Sequence, residues 1–160
     1  MKKEIAKGLL LSGILSLMVS CSDTKKEETA VIDKEQVKKE IQAKEDEFAA
    51  VCNSRTPKNI GYYADDAITF FQNREPLVGK QAIIDFLTAD ILANPNKIAF
   101  KTNEVFVSND GNQVVEVGQF LVTDSTNVTI NSGNYMTLFE KRNGKYVSVR
   151  DMSASDRPVE

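Results

Sequence analysis

Histidine and tryptophan are absent from the 160 residues, and cysteine occurs only twice. Without histidine there is no Ser-His-Asp triad, no Cys-His dyad and no His-ligated metal site. Two cysteines make neither a disulfide framework nor a four-ligand zinc site. Neither sign of charge dominates. Lys and Arg number 20 against 23 Asp and Glu, for a net charge of −3 and a pI near 5.2. A nucleic-acid partner has no basic footprint here. No apolar run reaches the roughly 20 residues that span a bilayer. The sequence calls for no metal and no cofactor. What is present is ordinary globular content, 41% hydrophobic, over a length that suits one domain with a real core.

The first residues read as an address. Lys2, Lys3 and Lys7 precede a short apolar stretch, Gly8 to Val19. A basic start followed by about 12 apolar residues is the pattern of a secretory signal. Leu17-Met18-Val19-Ser20-Cys21 resembles the bacterial lipobox, with Met18 where Leu is usual. The resemblance implies cleavage before Cys21 and acylation there. Two or more acyl chains anchor stably, whereas one does not. Ser22 to Ala30 is polar and charged and buries too little to offset its ordering entropy, so it reads as a disordered tether. The expected organisation is a lipoprotein signal peptide over 1–20, a lipidated tether over 21–31 and one folded domain over 32–160. The location implied is the bacterial cell envelope, at the outer membrane, through the lipid on Cys21.

Residues 33–54 read as a helix, with Val37, Ile41, Phe48 and Cys52 within about 60° of arc at 100° per residue. Thr56-Pro57 suggests a cap and first position of a short helix reaching Tyr63. Ala67 to Phe71 reads as a strand, Arg74 to Gly79 as a turn and edge segment, and Gln81 to Leu92 as a third helix. Four strands follow, over 98–107, 113–123, 127–141 and 145–152. Asn109 to Asn112 and Arg142-Asn143-Gly144 supply hairpin signals between them. The alternation changes phase near Asn103-Glu104, which predicts a β-bulge. Helices followed by an antiparallel meander indicate an α+β class. The expected shape is a curved, cone-like antiparallel sheet wrapped around the long first helix, with two further helices and a cavity at the open end.

This order resembles the nuclear transport factor 2-like superfamily, in its SnoaL-like and ketosteroid-isomerase-like branch. The resemblance is carried by Tyr62-Tyr63-Ala64-Asp65-Asp66-Ala67, by Val78-Gly79-Lys80-Gln81-Ala82-Ile83 and by Lys141-Arg142-Asn143-Gly144-Lys145-Tyr146, over about residues 32–153. It implies an α+β cone with a pocket, often paired into a homodimer through the sheet. Members range from isomerases to non-catalytic binding modules, so the fold does not fix the function. The isomerase mechanism needs a carboxylate base and two acidic hydroxyl donors at an oxyanion. Matched on the local motifs, those three positions fall on Phe71, Phe48 and Met136, all apolar.

Two polar side chains sit where the periodicity calls for core. Lys44 lies inside the apolar arc of the first helix, and Asp151 shares strand phase with Val147 and Val149. Either could face the pocket and bind or move a proton. The plainer reading, which the pattern favours, is that Lys44 lays its stem on the core with its ammonium in water and that Asp151 caps a turn or pairs with Arg150 or Lys44. Tyr62, Tyr63 and Tyr135 are candidate pocket hydroxyls, and Cys52 reads as a buried, inert thiol. The expected pocket set is therefore Lys44, Phe48, Tyr62, Phe71, Tyr135, Met136 and Asp151, with Asp151 the candidate for catalysis. The leading expectation is a membrane-anchored module that binds a small apolar molecule or a protein partner without catalysis. The alternative is a SnoaL-like lyase, isomerase or hydrolase using Asp151 and a tyrosine. A third is self-association through the convex face of the sheet.

Overall fold

A computed structural model describes residues 32–57, 60 and 62–157. The signal, Cys21 and the tether fall outside the described residues. Helix α1 spans Lys34–Ser54, and the Asp33 side chain caps it by accepting from the Gln36 N–H. Its end is set by Arg55, which turns into the left-handed region at φ 55°. Strand β1 spans Tyr63–Phe70, β2 is the short Leu77–Val78, and α2 spans Lys80–Ala93. The strands β3, Lys97–Val107, β4, Gln113–Thr123, β5, Thr129–Arg142, and β6, Lys145–Ser155, complete the chain. None of the described helices is long and apolar enough to cross a membrane.

The architecture is α+β, with one curved, unclosed six-stranded sheet in the order β2-β1-β6-β5-β4-β3. Strands β3 to β6 form the antiparallel meander, while β1 pairs with β6 in parallel. The bulge expected near Asn103 is present, as a register shift between Thr102 and Glu104. Asn143-Gly144, at φ 53° and 77°, makes the tight turn between β5 and β6 with both central residues left-handed.

Two expectations are corrected. Among the described residues no helix follows Thr56-Pro57: Thr56, Pro57 and Ile60 are irregular, Tyr62 lies in a turn, and Tyr63 already opens β1. Lys58, Asn59 and Gly61 are outside the described residues. The reason is that Tyr62 and Tyr63 are both buried core, which a surface helix does not supply. Strand β1 consequently begins four residues earlier than the hydrophobic run Ala67 to Phe71 suggests. Asp65 and Asp66 lie within it and face out, and Asp66 ion-pairs with Arg142.

Helix α1 lies in the concave side of the sheet and is fastened to β3 by its own polar side chains. Asn53 both donates to the Ile98 carbonyl and accepts from the Ile98 N–H. Gln42 does the same between the Phe100 carbonyl and the Thr102 N–H. These bonds occupy backbone groups of an edge strand that would otherwise offer itself to another chain. Val37 and Ile41 of α1, Ile83, Leu87 and Ile91 of α2, and Val114, Phe139, Tyr146 and Val149 of the sheet make the core.

Gly118 sits on the inner face of β4, where the ring of Tyr135 from β5 lies directly over it. A Cβ there would overlap the ring. Gly118→Ala is expected to lower stability by about 1–3 kcal/mol and to displace the Tyr135 hydroxyl, as overpacking does. Thermal denaturation of the variant measures it, and an unchanged melting temperature would contradict the close approach.

Candidate functional site

Between α1, α2 and the concave sheet lies a cavity of about 420 Å³. Its walls are aromatic and aliphatic. Phe48 stacks on Tyr62 and on Phe100, with centroids 5.1 and 5.6 Å apart, and Phe100 meets Tyr135 edge-on. Phe71 packs on Phe86 at the other side. The rim is polar, with Gln72, Arg74, Asn94, Asn96 and Asn131. Arg74, exposed, lays its guanidinium 4.0 Å from the centroid of Phe86.

The inner end is acidic. Glu45 of α1 is only 1% exposed and Glu116 of β4 is fully buried. Tyr62 donates to Glu45 through a short hydrogen bond. Tyr135 and Thr102 donate to Glu116 Oε1 at 2.8 and 2.6 Å. Asp151 of β6 is half-buried because its carboxyl borders the cavity, and it accepts from Tyr63 at 3.2 Å and from Thr137 at 3.4 Å.

Burial dominates the electrostatics. It pushes Glu45 up to about 9, helped by the negative charge of Glu116. Burial also raises Glu116, against hydrogen bonds from Thr102, Tyr135 and Glu45 that favour its ionised form. Glu45 is therefore the protonated partner at neutral pH. The neighbour whose negative charge favours that proton is Glu116, and Glu116 Oε2 has no hydrogen-bond partner among the described residues. Asp151 is pushed up to about 6 by burial, opposed by Tyr63 and Thr137, so it is mostly ionised at pH 7. Burial holds Tyr62, Tyr63 and Tyr135 well above the usual phenol value, so all three are neutral donors. Cys52, on the cavity wall, is pushed up to about 12 by burial and carries no thiolate.

Of the residues read from the sequence as pocket candidates, Phe48, Tyr62, Phe71, Tyr135 and Asp151 line this cavity, and Tyr63 joins them. Lys44 does not. It borders a separate depression of about 190 Å³ with Glu47, Val51, Ile60 and Lys145, so it never faces Asp151. The buried stripe of α1 runs Val37, Ile41, Glu45, which turns the helix so that Lys44 lies at its edge. Met136 does not line the cavity either. It is 45% exposed on the outer face of β5, between the inward Tyr135 and Thr137. Glu45 and Glu116 were missed, because a helix or strand carboxylate reads as solvent-facing. The available signals were spacing alone: Glu45 continues the i, i+4 series from Val37, and Glu116 alternates with Val114 and Gly118. Among the described residues no cluster of His, Cys, Asp and Glu suits a metal ion.

A buried carboxyl that stays protonated when folded but ionises when unfolded makes stability depend on pH. Glu45 is raised above its unfolded value near 4.5, so its contribution is complete below that pH and is lost as pH rises towards 9. The slope for one proton is about 1.4 kcal/mol per pH unit. The melting temperature is expected to fall between pH 5 and 9, and Glu45→Gln, permanently neutral, to flatten that fall. A melting temperature that climbs with pH in the parent chain would contradict a protonated Glu45.

No protein-family model and no curated protein matches the chain. Solved structures do. An NTF2-like protein with a cystatin-like fold from Novosphingobium aromaticivorans superposes with a TM-score of 0.65 at 12% identity, over 78% of this chain and 84% of that one. A ketosteroid isomerase-like protein from Erwinia carotovora atroseptica gives 0.56 at 18%, over 75% and 96%. LinA gives 0.64 at 15%, over 76% and 87%. At these identities the likeness is one of fold, and the chain has the curved-sheet, pocketed fold of nuclear transport factor 2-like proteins.

Proposed function

We propose that this chain is a lipid-anchored protein of the bacterial envelope, held through Cys21, whose cavity binds a small, mainly apolar molecule. The observation that carries the binding reading is the partition of the cavity, with aromatic walls and polar groups gathered at an acidic inner end. Small-molecule sites have this make-up, apolar walls with a few placed polar atoms. The anchor rests on the lipobox resemblance at Cys21 alone. A homodimer through the outer face of the sheet is part of the same proposal. Phe70, Met152 and Met136 stand side by side there on β1, β6 and β5, each 40–53% exposed.

Native mass spectrometry of the chain expressed in a Gram-negative bacterium and extracted from its membranes tests all three parts. The expected result is the covalent mass of acyl chains, absent after Cys21→Ser, on a dimer that carries one small non-covalent adduct per subunit. An unacylated chain, a monomer, or an empty cavity each removes the corresponding part.

A second reading is favoured by Asp151. A carboxylate that borders an apolar cavity and titrates at about 6 is suited to take a proton from a bound molecule near neutral pH. In deuterium oxide, the molecule captured from the cells is expected to gain deuterium at carbon, at a rate that rises as pH passes 6 and falls about 100-fold or more in Asp151→Asn. Exchange that ignores both pH and the variant would leave binding alone.

A further inference from the structure

The hydrogen atoms at the inner end of the cavity can be followed one by one. Tyr62 has a single hydroxyl hydrogen, and it goes to Glu45. That of Tyr63 goes to Asp151 and that of Tyr135 to Glu116. Thr137 gives its own to Asp151. The proton of Glu45 is drawn towards the neighbouring charge of Glu116, outside the cavity lining. Tyr62, Tyr63, Tyr135 and Thr137 have thus spent their donors inside the protein, and the hydroxyl of Ser153, further along β6, is the nearest donor left to the cavity. What this end still offers to the cavity are lone pairs: two carboxyl groups, three phenol oxygens and a threonine oxygen. A ligand carbonyl or carboxylate placed here would find acceptors facing acceptors.

Charge points the same way. With Glu45 neutral, the charged groups lining the whole cavity are Asp90 and Asp151 against Arg74 alone, and Arg74 is exposed at the rim. Among the described residues no lysine or arginine reaches Asp151. The wall includes the rings of Phe48, Tyr62, Phe100 and Tyr135, and an aromatic face left open to the cavity attracts a cation. The rim shows the effect in place, with the guanidinium of Arg74 on the ring of Phe86.

We infer that the ligand of this cavity is an amine, protonated when bound, with its N–H groups directed at Asp151 and the tyrosine oxygens and its apolar body against the aromatic wall. This rests on the reading of the cavity as a ligand site and names the class of ligand it takes. An ammonium supplies donors to the acceptors around Asp151, and it places a positive charge beside a carboxylate that has no counter-ion among the described residues.

Three probes of one shape separate the possibilities. Benzylammonium, benzyl alcohol and benzoate differ only in the charge and donors of the head group. In calorimetric titrations at pH 7.5, benzylammonium is expected to bind about tenfold or more tighter than benzyl alcohol, and benzoate not to bind. In Asp151→Asn the preference for the ammonium over the alcohol disappears. If the alcohol or the benzoate binds the parent chain as tightly as the ammonium, the amine inference falls and the cavity remains a site for apolar molecules. If none of the three binds, the inference and the ligand-site reading fall together. The parent-chain comparison decides the matter even where the variant does not fold.

Discussion

A proton held between Glu45 and Glu116 is the constraint on which the interior depends. Helix α1 and strand β4 both bring a carboxyl group to the same dry place, and two adjacent buried negative charges would drive them apart. With Glu45 protonated, the pair becomes a hydrogen bond between helix and sheet, and Tyr62, Tyr135 and Thr102 complete it. The same network orders the cavity. Tyr62 is stacked on Phe48 and Tyr135 meets Phe100 edge-on, so the residues that neutralise the acid pair also hold the aromatic wall in shape.

The position of α1 follows from two kinds of contact. Val37 and Ile41 bury into the core, as periodic spacing requires, while Gln42 and Asn53 bond the backbone of β3. Those polar bonds fix the rotation of the helix, which apolar spacing leaves loose by a residue. The consequence is visible at neighbouring positions: Glu45 is carried inward and Lys44 to the edge.

This explains what the sequence discloses and what it withholds. The meander was legible, because turn chemistry and period-2 alternation are local; β4 has the expected limits, and the bulge falls where the phase breaks. The parallel pairing of β1 with β6 was not, since it joins segments some 80 residues apart with no local mark. In the site, Asp151 stood out because its strand phase with Val149 sets it among apolar residues. Glu116 did not, because the flanking Val115 and Val117 look like the buried face and are the outer one. Met136 was placed by a motif match counted back from Gly144-Lys145, and the register shift between Leu138 and Phe139 lies inside that count, where a slip of one residue turns a strand over. A carboxylate made tolerable by a partner from another element leaves no trace in its own segment.

The partnership of β1 with β6 also sets an order of events. The inner end of the cavity draws Glu45 from α1, Tyr63 from β1, Glu116 from β4, Tyr135 from β5 and Asp151 from β6. Until the last strand has left the ribosome, β1 lacks its long neighbour and the centre of the sheet is an open edge. So many pairings between distant parts of the chain make for slow closure, since loop entropy is spent before contacts repay it. The cavity and its acidic end are therefore a product of the whole described chain, assembled only when β6 slots in between β1 and β5.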